Sequence, residues 1–155
     1  MDTVLASLIA VIGTLAGGLG TLHLQQRAAL RADHRRDLHS AGAAFLTGLT
    51  AYRAAVYALW TTSRSAPTTP HLDRINDVRS ARSALTSARD SLLLLTDDAA
   101  VRTSVHTAID AAYHLGDDET QRNITSGRPA ALAAHQAVLD ALTRALRRYQ
   151  DTSQP

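Results

Sequence analysis

The chain has 155 residues, 45% of them apolar and 4% aromatic, and this size fits one helical domain rather than two separately folded ones. All 16 basic residues are arginine and they barely exceed the 14 acidic ones, so the net charge of +2 argues against a globally basic protein that binds nucleic acid. The absence of cysteine excludes disulfides, thiolate zinc sites and cysteine nucleophiles.

The first element is a run of 20 uncharged residues at positions 3–22. As a helix it is about 30 Å long, the thickness of a bilayer's hydrocarbon core. A cleavable signal peptide is disfavoured because no basic residue precedes the run and no A-x-A pattern ends it. A buried helix of a soluble bundle is disfavoured by the four glycines, each of which costs about 1 kcal/mol relative to alanine in water but is better tolerated in membranes. We therefore expect a transmembrane anchor.

A charged stalk at residues 23–37 follows the run, and four of its residues form what we call the arginine collar: Arg27, Arg31, Arg35 and Arg36. Because positive charge flanks only this side, the N-terminus is expected outside the plasma membrane and the rest of the chain in the cytoplasm. We expect the collar to contact anionic lipid, with about 1 kcal/mol for each arginine. No aromatic residue is interleaved to stack on bases, so direct nucleic-acid binding is not expected.

Small residues within the uncharged run are spaced alternately by four and three, which places them on one face of the helix. We call this face the seam; it consists of Ala6, Ala10, Gly13, Gly17 and Gly20. Such a stripe lets two membrane helices approach closely. The sequence therefore predicts a homo-oligomer.

Residues 38–149 predict an antiparallel four-helix bundle, with helices at about 38–62, 71–95, 98–115 and 129–149 and a tail at 150–155. The anchor continues into the first of these helices, so the expected class is all-α. The polar segment 116–129 predicts a loop that ends with Pro129 in the first turn of the last helix. Predicted core positions include Leu38, Phe45, Leu49, Tyr52 and Val56, then Leu72, Val78, Leu85 and Leu92, then Val101, Val105 and Ile109, and finally Leu132, His135, Leu139, Leu142, Leu146 and Tyr149.

Two local patterns refine this arrangement. Thr96, Asp97 and Asp98 predict an N-cap and an acidic first turn for the third helix. Tyr52, Tyr57 and Trp60, in the second half of the first helix, are expected to contact the core or a partner, and the core is the preferred interpretation because Tyr52 lies on the apolar stripe.

The third helix carries the one candidate metal site, since His106, Asp110 and His114 share one face. Arg102 lies on the same face one turn away and opposes cation binding, so a solvated helix face is the preferred interpretation. The HExxH, Walker A, GxGxxG and GxSxG motifs are all missing. We therefore expect no catalytic residue, no cofactor and no metal, and a protein that is not an enzyme.

The segment ASLIAVIGTLAGGLGTLHLQQR, the arginine-rich stalk, the helix ending in YALW and the proline-containing turn together resemble the actinobacterial KilB-like membrane proteins found with streptomycete conjugative plasmids. The resemblance is best over residues 6–64 and looser over LLLLTDDAAVRTSVHTAIDAA. It implies a small anchored component of plasmid spread that acts by assembly.

The expected function is a membrane-anchored, non-enzymatic, self-associating scaffold whose cytoplasmic bundle recruits an unknown protein partner. One alternative is a soluble four-helix protein with a ligand or metal pocket, in which residues 3–22 are buried by the bundle. Another is a membrane-perturbing phage or plasmid protein of the holin type.

Overall fold

The structure is a computed structural model that describes the backbone of residues 2–63, 69–117 and 121–151 and the side chains of residues 25–61, 72–115 and 127–149. Four helices occupy this part of the chain: α1 (Asp2–Ser63), α2 (Thr69–Leu95), α3 (Ala99–Asp117) and α4 (Gln121–Asp151). No strand occurs among the residues whose backbone is described. The predicted all-α class with four helices is confirmed.

Helix α1 runs unbroken for 62 residues. No proline precedes Pro67, so nothing in the sequence interrupts its hydrogen-bond ladder. Residues 25–33 are all exposed, which fits a solvated stalk, and burial begins at Leu38. Within the part of the chain that the structure describes, no helix is long and apolar enough to cross a membrane. The expected anchor at 3–22 lies outside the residues whose side chains are described.

Helices α1 and α4 pack side by side in opposite directions. The Arg53 guanidinium donates a hydrogen bond to the Ala131 carbonyl at 3.3 Å, whereas the rings of His34 and Tyr149 lie 5.4 Å apart. The N-terminal part of α1 therefore lies beside the C-terminal part of α4, so the two helices are antiparallel. The connections between consecutive helices are short, which gives the bundle an up-and-down order.

The core lies between the helices and is built from side chains that recur every three or four residues. In α1 and α3 the core positions named above from the sequence are all buried, and Gly42, Ala108 and Leu115 are buried in addition. Fully or almost fully buried residues include Leu38, Phe45, Leu49 and Tyr52 of α1, Leu85 and Leu92 of α2, Val101, Val105 and Ile109 of α3, and Val138 of α4. Leu72, predicted to be buried, is 64% exposed because it lies near the start of α2, at the edge of the packed region.

The predicted cap of α3 is confirmed, whereas the predicted acidic first turn is wrong, because α3 begins at Ala99, after Asp97 and Asp98. One carboxylate oxygen of Asp98 accepts hydrogen bonds from the backbone N–H groups of Ala100 at 2.9 Å and Val101 at 3.3 Å. The hydroxyl of Thr96 in turn accepts from the N–H of Asp98. These bonds satisfy N–H groups that have no intrahelical partner, and they fix the start of α3 at Ala99.

Helix α4 begins at Gln121, earlier than the proline signal predicts. Pro129 lies inside the helix on its exposed side, where the loss of one intrahelical hydrogen bond can be compensated by water. Gly127 lets this first part of α4 pack closely on α3, since a Cβ at residue 127 would lie 2.8 Å from Leu115 Cδ2. The predicted loop at 116–129 is therefore wrong at residues 116–117, which belong to α3, and from residue 121 onward.

The buried face of α4 is rotated from the predicted one, although Leu142 is buried as predicted. Leu132 and Leu139, predicted to be in the core, are 52% and 42% exposed, and Tyr149 is 37% exposed. Small side chains take their place in the interior, where they allow closer approach of the neighbouring helices. They are Ala131, Ala134, Ala141 and Ala145.

Candidate interaction surface

The displaced leucines of α4 lie along a groove between α1 and α4, which we call the α1/α4 groove. It contains two cavities, of about 420 Å³ near the middle of the bundle and about 340 Å³ toward the stalk. Residues 50–57 of α1 and residues 128–132 of α4 contribute to the first cavity, and residues 35–46 and 139–147 contribute to the second. The two cavities therefore lie at successive levels along both helices.

The apolar part of the groove comes from leucines spaced by seven residues on α4: Leu132, Leu139 and Leu146. This spacing keeps side chains on nearly the same side of a helix. From α1, Leu46 lines the second cavity and Tyr57, which is 52% exposed, lines the first. Tyr57 is therefore not a core residue, contrary to the preferred interpretation, and its ring lies 5.7 Å from that of Trp60.

Arg53 is half-buried in the first cavity, and its hydrogen bonds with described residues are to neutral groups. Its guanidinium donates to the Ala131 carbonyl and to the Thr50 hydroxyl, each at 3.3 Å, and lies 3.3 Å from His135 Nδ1. Burial lowers the pKa of Arg53, and burial together with the Arg53 charge lowers the pKa of His135. A neutral His135 accepts the hydrogen bond from Arg53, so this predicted core histidine is in fact a half-buried partner of a cation.

The groove is positively charged along its length. Arg53 and Arg128 line the first cavity, and Arg35 and Arg147 line the second. Neither set of lining residues contains an Asp or a Glu. The α1/α4 groove thus combines apolar side chains with guanidinium groups.

The structure places the arginine collar on the exposed stalk of α1. All four of its residues are exposed, and Arg27, Arg31 and Arg35 are spaced by four and so share one face. Arg36 forms an exposed ion pair with Asp33 at 3.8 Å. Contact of the collar with anionic lipid stays a prediction. The seam of residues 6–20 lies outside the part of the chain with described side chains.

The candidate metal ligands on α3 are His106, Asp110 and His114, and all three are exposed. Among the residues with described side chains, no group of three or more histidines or acidic residues is placed to hold a metal ion. These side chains form the outer face of α3, opposite its buried valines.

The model of the KilB plasmid transfer protein family matches residues 39–146 of the chain. The chain belongs to this family. The KilB match extends from α1 to α4, so it covers most of the bundle and of the α1/α4 groove, but not Arg35 and Arg147. It does not include residues 6–38, where much of the expected resemblance lies. No curated protein and no solved structure matches the chain.

Sequence reasoning did not identify the groove of this KilB-family chain. Arg53 and His135 are 82 positions apart, and only the register of α1 against α4 brings them together. Leu132 and Leu139 satisfy the spacing of a core stripe, and the sequence offers no sign that the neighbouring alanines are buried instead. The one available signal was the strict seven-residue repeat of leucine in α4.

Proposed function

We propose that this KilB-family protein is a membrane-anchored, non-enzymatic, self-associating scaffold or accessory protein of conjugative plasmid transfer. The observation that carries the proposal is the match of the plasmid transfer family to residues 39–146. In this role the protein positions its cytoplasmic bundle at the plasma membrane, and the bundle recruits another cytoplasmic protein. It has no catalytic step and does not bind nucleic acid directly.

The uncharged run at 3–22 and the collar support the proposed anchor. The run has the length of a membrane span, and basic residues follow it without any before it. This asymmetry supports a single-pass topology with the N-terminus outside and the bundle in the cytoplasm. The exposed collar then meets the anionic lipid of the cytoplasmic leaflet.

A transfer assay tests the proposed role. A donor plasmid that lacks the gene is complemented with the full chain, with a chain starting at Arg27, or with a chain in which residues 3–22 are replaced by an unrelated leucine-rich span. We expect the full chain to restore transfer and the chain starting at Arg27 to fail, because it cannot reach the membrane. Full restoration by the chain starting at Arg27 contradicts the anchored role, and no loss on gene deletion contradicts the role in transfer.

Self-association through the seam has its own test. Gly13→Ile together with Gly17→Ile places bulky side chains where two helices are proposed to touch, so crosslinking between copies is expected to fall while membrane insertion is retained. Gly18→Ile is the matched control because residue 18 lies off the seam. Equal crosslinking in the double variant and the control refutes the seam.

A further inference from the structure

We propose that the α1/α4 groove is the docking site for an amphipathic helix of a partner protein, with acidic residues beside its apolar stripe. This inference names the class of partner for the bundle, and it rests on the proposed function for its place in plasmid transfer. The docking itself requires only the bundle, so it can be tested apart from the membrane anchor.

The apolar side chains of the groove are spaced so that they match the apolar stripe of a helix. Leu132, Leu139 and Leu146 repeat every seven residues and cover about 21 Å along α4. An incoming helix presents apolar side chains at positions i, i+3 or i+4, and i+7, which repeat over the same distance. Leu132 and Leu139 retain 52% and 42% of their exposure, so this surface is available for further burial.

The positive charge of the groove favours a partner with negatively charged residues. Arg35, Arg53, Arg128 and Arg147 line its two cavities, and no carboxylate of a described side chain does. Arg53 is the clearest case, because it is half-buried and forms no ion pair within the described residues. A cation removed from water is best stabilised by an anion, and guanidinium groups bind carboxylates through paired hydrogen bonds. A partner carboxylate supplies that anion.

Two other occupants fit the groove less well. A second copy related by a two-fold axis would bring the same arginines together across the interface, and like charges facing each other are repulsive. A membrane surface is broad and flat, whereas the apolar residues lie along two cavities between a pair of helices. The observations therefore favour a helix from another protein.

The test uses the full chain in phosphatidylcholine nanodiscs and two fluorescent peptides of about three heptads. Both peptides carry leucine at positions a and d; one carries glutamate at e and g, and the other carries lysine there. Fluorescence anisotropy is measured against empty nanodiscs as the blank. We expect the acidic peptide to bind at least about tenfold more tightly than the basic one, because only its charges complement the groove.

Variants locate the binding site. Leu132→Ser with Leu139→Ser is expected to weaken binding of the acidic peptide about tenfold, and Leu94→Ser, at an 87% exposed leucine of α2, is the matched control that leaves it unchanged. Arg128→Gln, at an exposed position, is expected to weaken binding without affecting folding, and Arg79→Gln on α2 is its control. The arginine pair keeps the proposal testable if the leucine double variant fails to fold.

Several results would overturn the proposal: absence of binding by both peptides, equal binding of the two, or an equal effect of the groove and control variants. Loss of chain self-association in the leucine double variant, without peptide binding, would assign the groove to a second copy. Groove-dependent binding to vesicles with phosphatidylglycerol, again without peptide binding, would assign it to lipid. If the full chain does not insert into nanodiscs, the same peptides are titrated against the full chain in buffer, so failure of the anchored role and failure of docking are distinguishable.

Discussion

The contact of α1 with α2 at Gly48 gives a stability prediction whose sign depends on the size of the new side chain. A Cβ added at Gly48 would lie 3.4 Å from Leu85 Cα and 3.6 Å from Leu85 Cδ1, which are ordinary van der Waals distances. Alanine therefore fits without movement of α2. Because alanine is favoured over glycine inside a helix by about 1 kcal/mol, Gly48→Ala is expected to stabilise the bundle by about that amount.

A larger side chain at the same position is expected to have the opposite effect. Leucine at residue 48 extends beyond Cβ toward the backbone of α2, and overpacking of this kind typically costs about 1–3 kcal/mol. Ala44→Gly, at an exposed position of α1, is the matched control and is expected to cost about 1 kcal/mol through helix propensity alone.

Thermal unfolding of the full chain followed by circular dichroism at 222 nm measures these effects. A gain of about 1 kcal/mol corresponds to a rise in Tm of about 4 °C for a domain of this size. A fall in Tm for Gly48→Ala while Ala44→Gly behaves as expected would mean that α1 and α2 approach more closely than the structure shows. An unchanged Tm for Gly48→Leu would mean that the two helices do not pack at this position.

Three further predictions concern the cap, the histidine and the collar. Asp98→Ala removes the N-cap of α3 and the ion pair of Asp98 with Arg148. In thermal unfolding it is expected to destabilise the bundle by about 1–2 kcal/mol. Asp98→Asn keeps a capping oxygen and is expected to retain most of the stability. Folding lowers the pKa of His135, so the unfolded chain binds the proton at a higher pH than the folded chain does. Stability is therefore expected to fall as the pH drops below the ordinary value of 6.5 and to level off below the folded pKa. A slope of stability against pH that persists in His135→Gln would contradict this origin. Replacing the four collar arginines by glutamine is expected to weaken binding of the protein to vesicles with phosphatidylglycerol. The same replacement of the four arginines of α2 is the control. An equal effect of the two replacements would refute a specific lipid contact of the collar.

The sequence predicts α1 and α3 well because their apolar residues are large and occupy one face. Val101, Val105 and Ile109 have no competing apolar stripe beside them, and Asp98 marks the start of α3 with a side chain suited to capping. For such helices, periodicity and a cap are sufficient to identify the buried face and the first turn.

Helix α4 shows where this reasoning fails. Its alanines and its leucines form two neighbouring stripes with similar spacing, and the larger residues are the natural choice for a core. Packing decides otherwise, since buried alanines such as Ala134 and Ala141 let α4 approach its neighbours while Leu139 stays at the surface. The position of Arg53 beside His135 depends on the same packing, so the groove follows from tertiary register and not from local pattern.

Membrane fractionation of the full chain with a C-terminal tag tests the central claim most directly. Membranes are washed with carbonate and with high salt, and the tag is exposed to protease in spheroplasts. Retention in the membrane after both washes, with the tag protected, is the result predicted for an anchor at residues 3–22 with a cytoplasmic bundle. Release of the chain into the soluble fraction, or digestion of the tag in intact spheroplasts, would contradict the anchored scaffold.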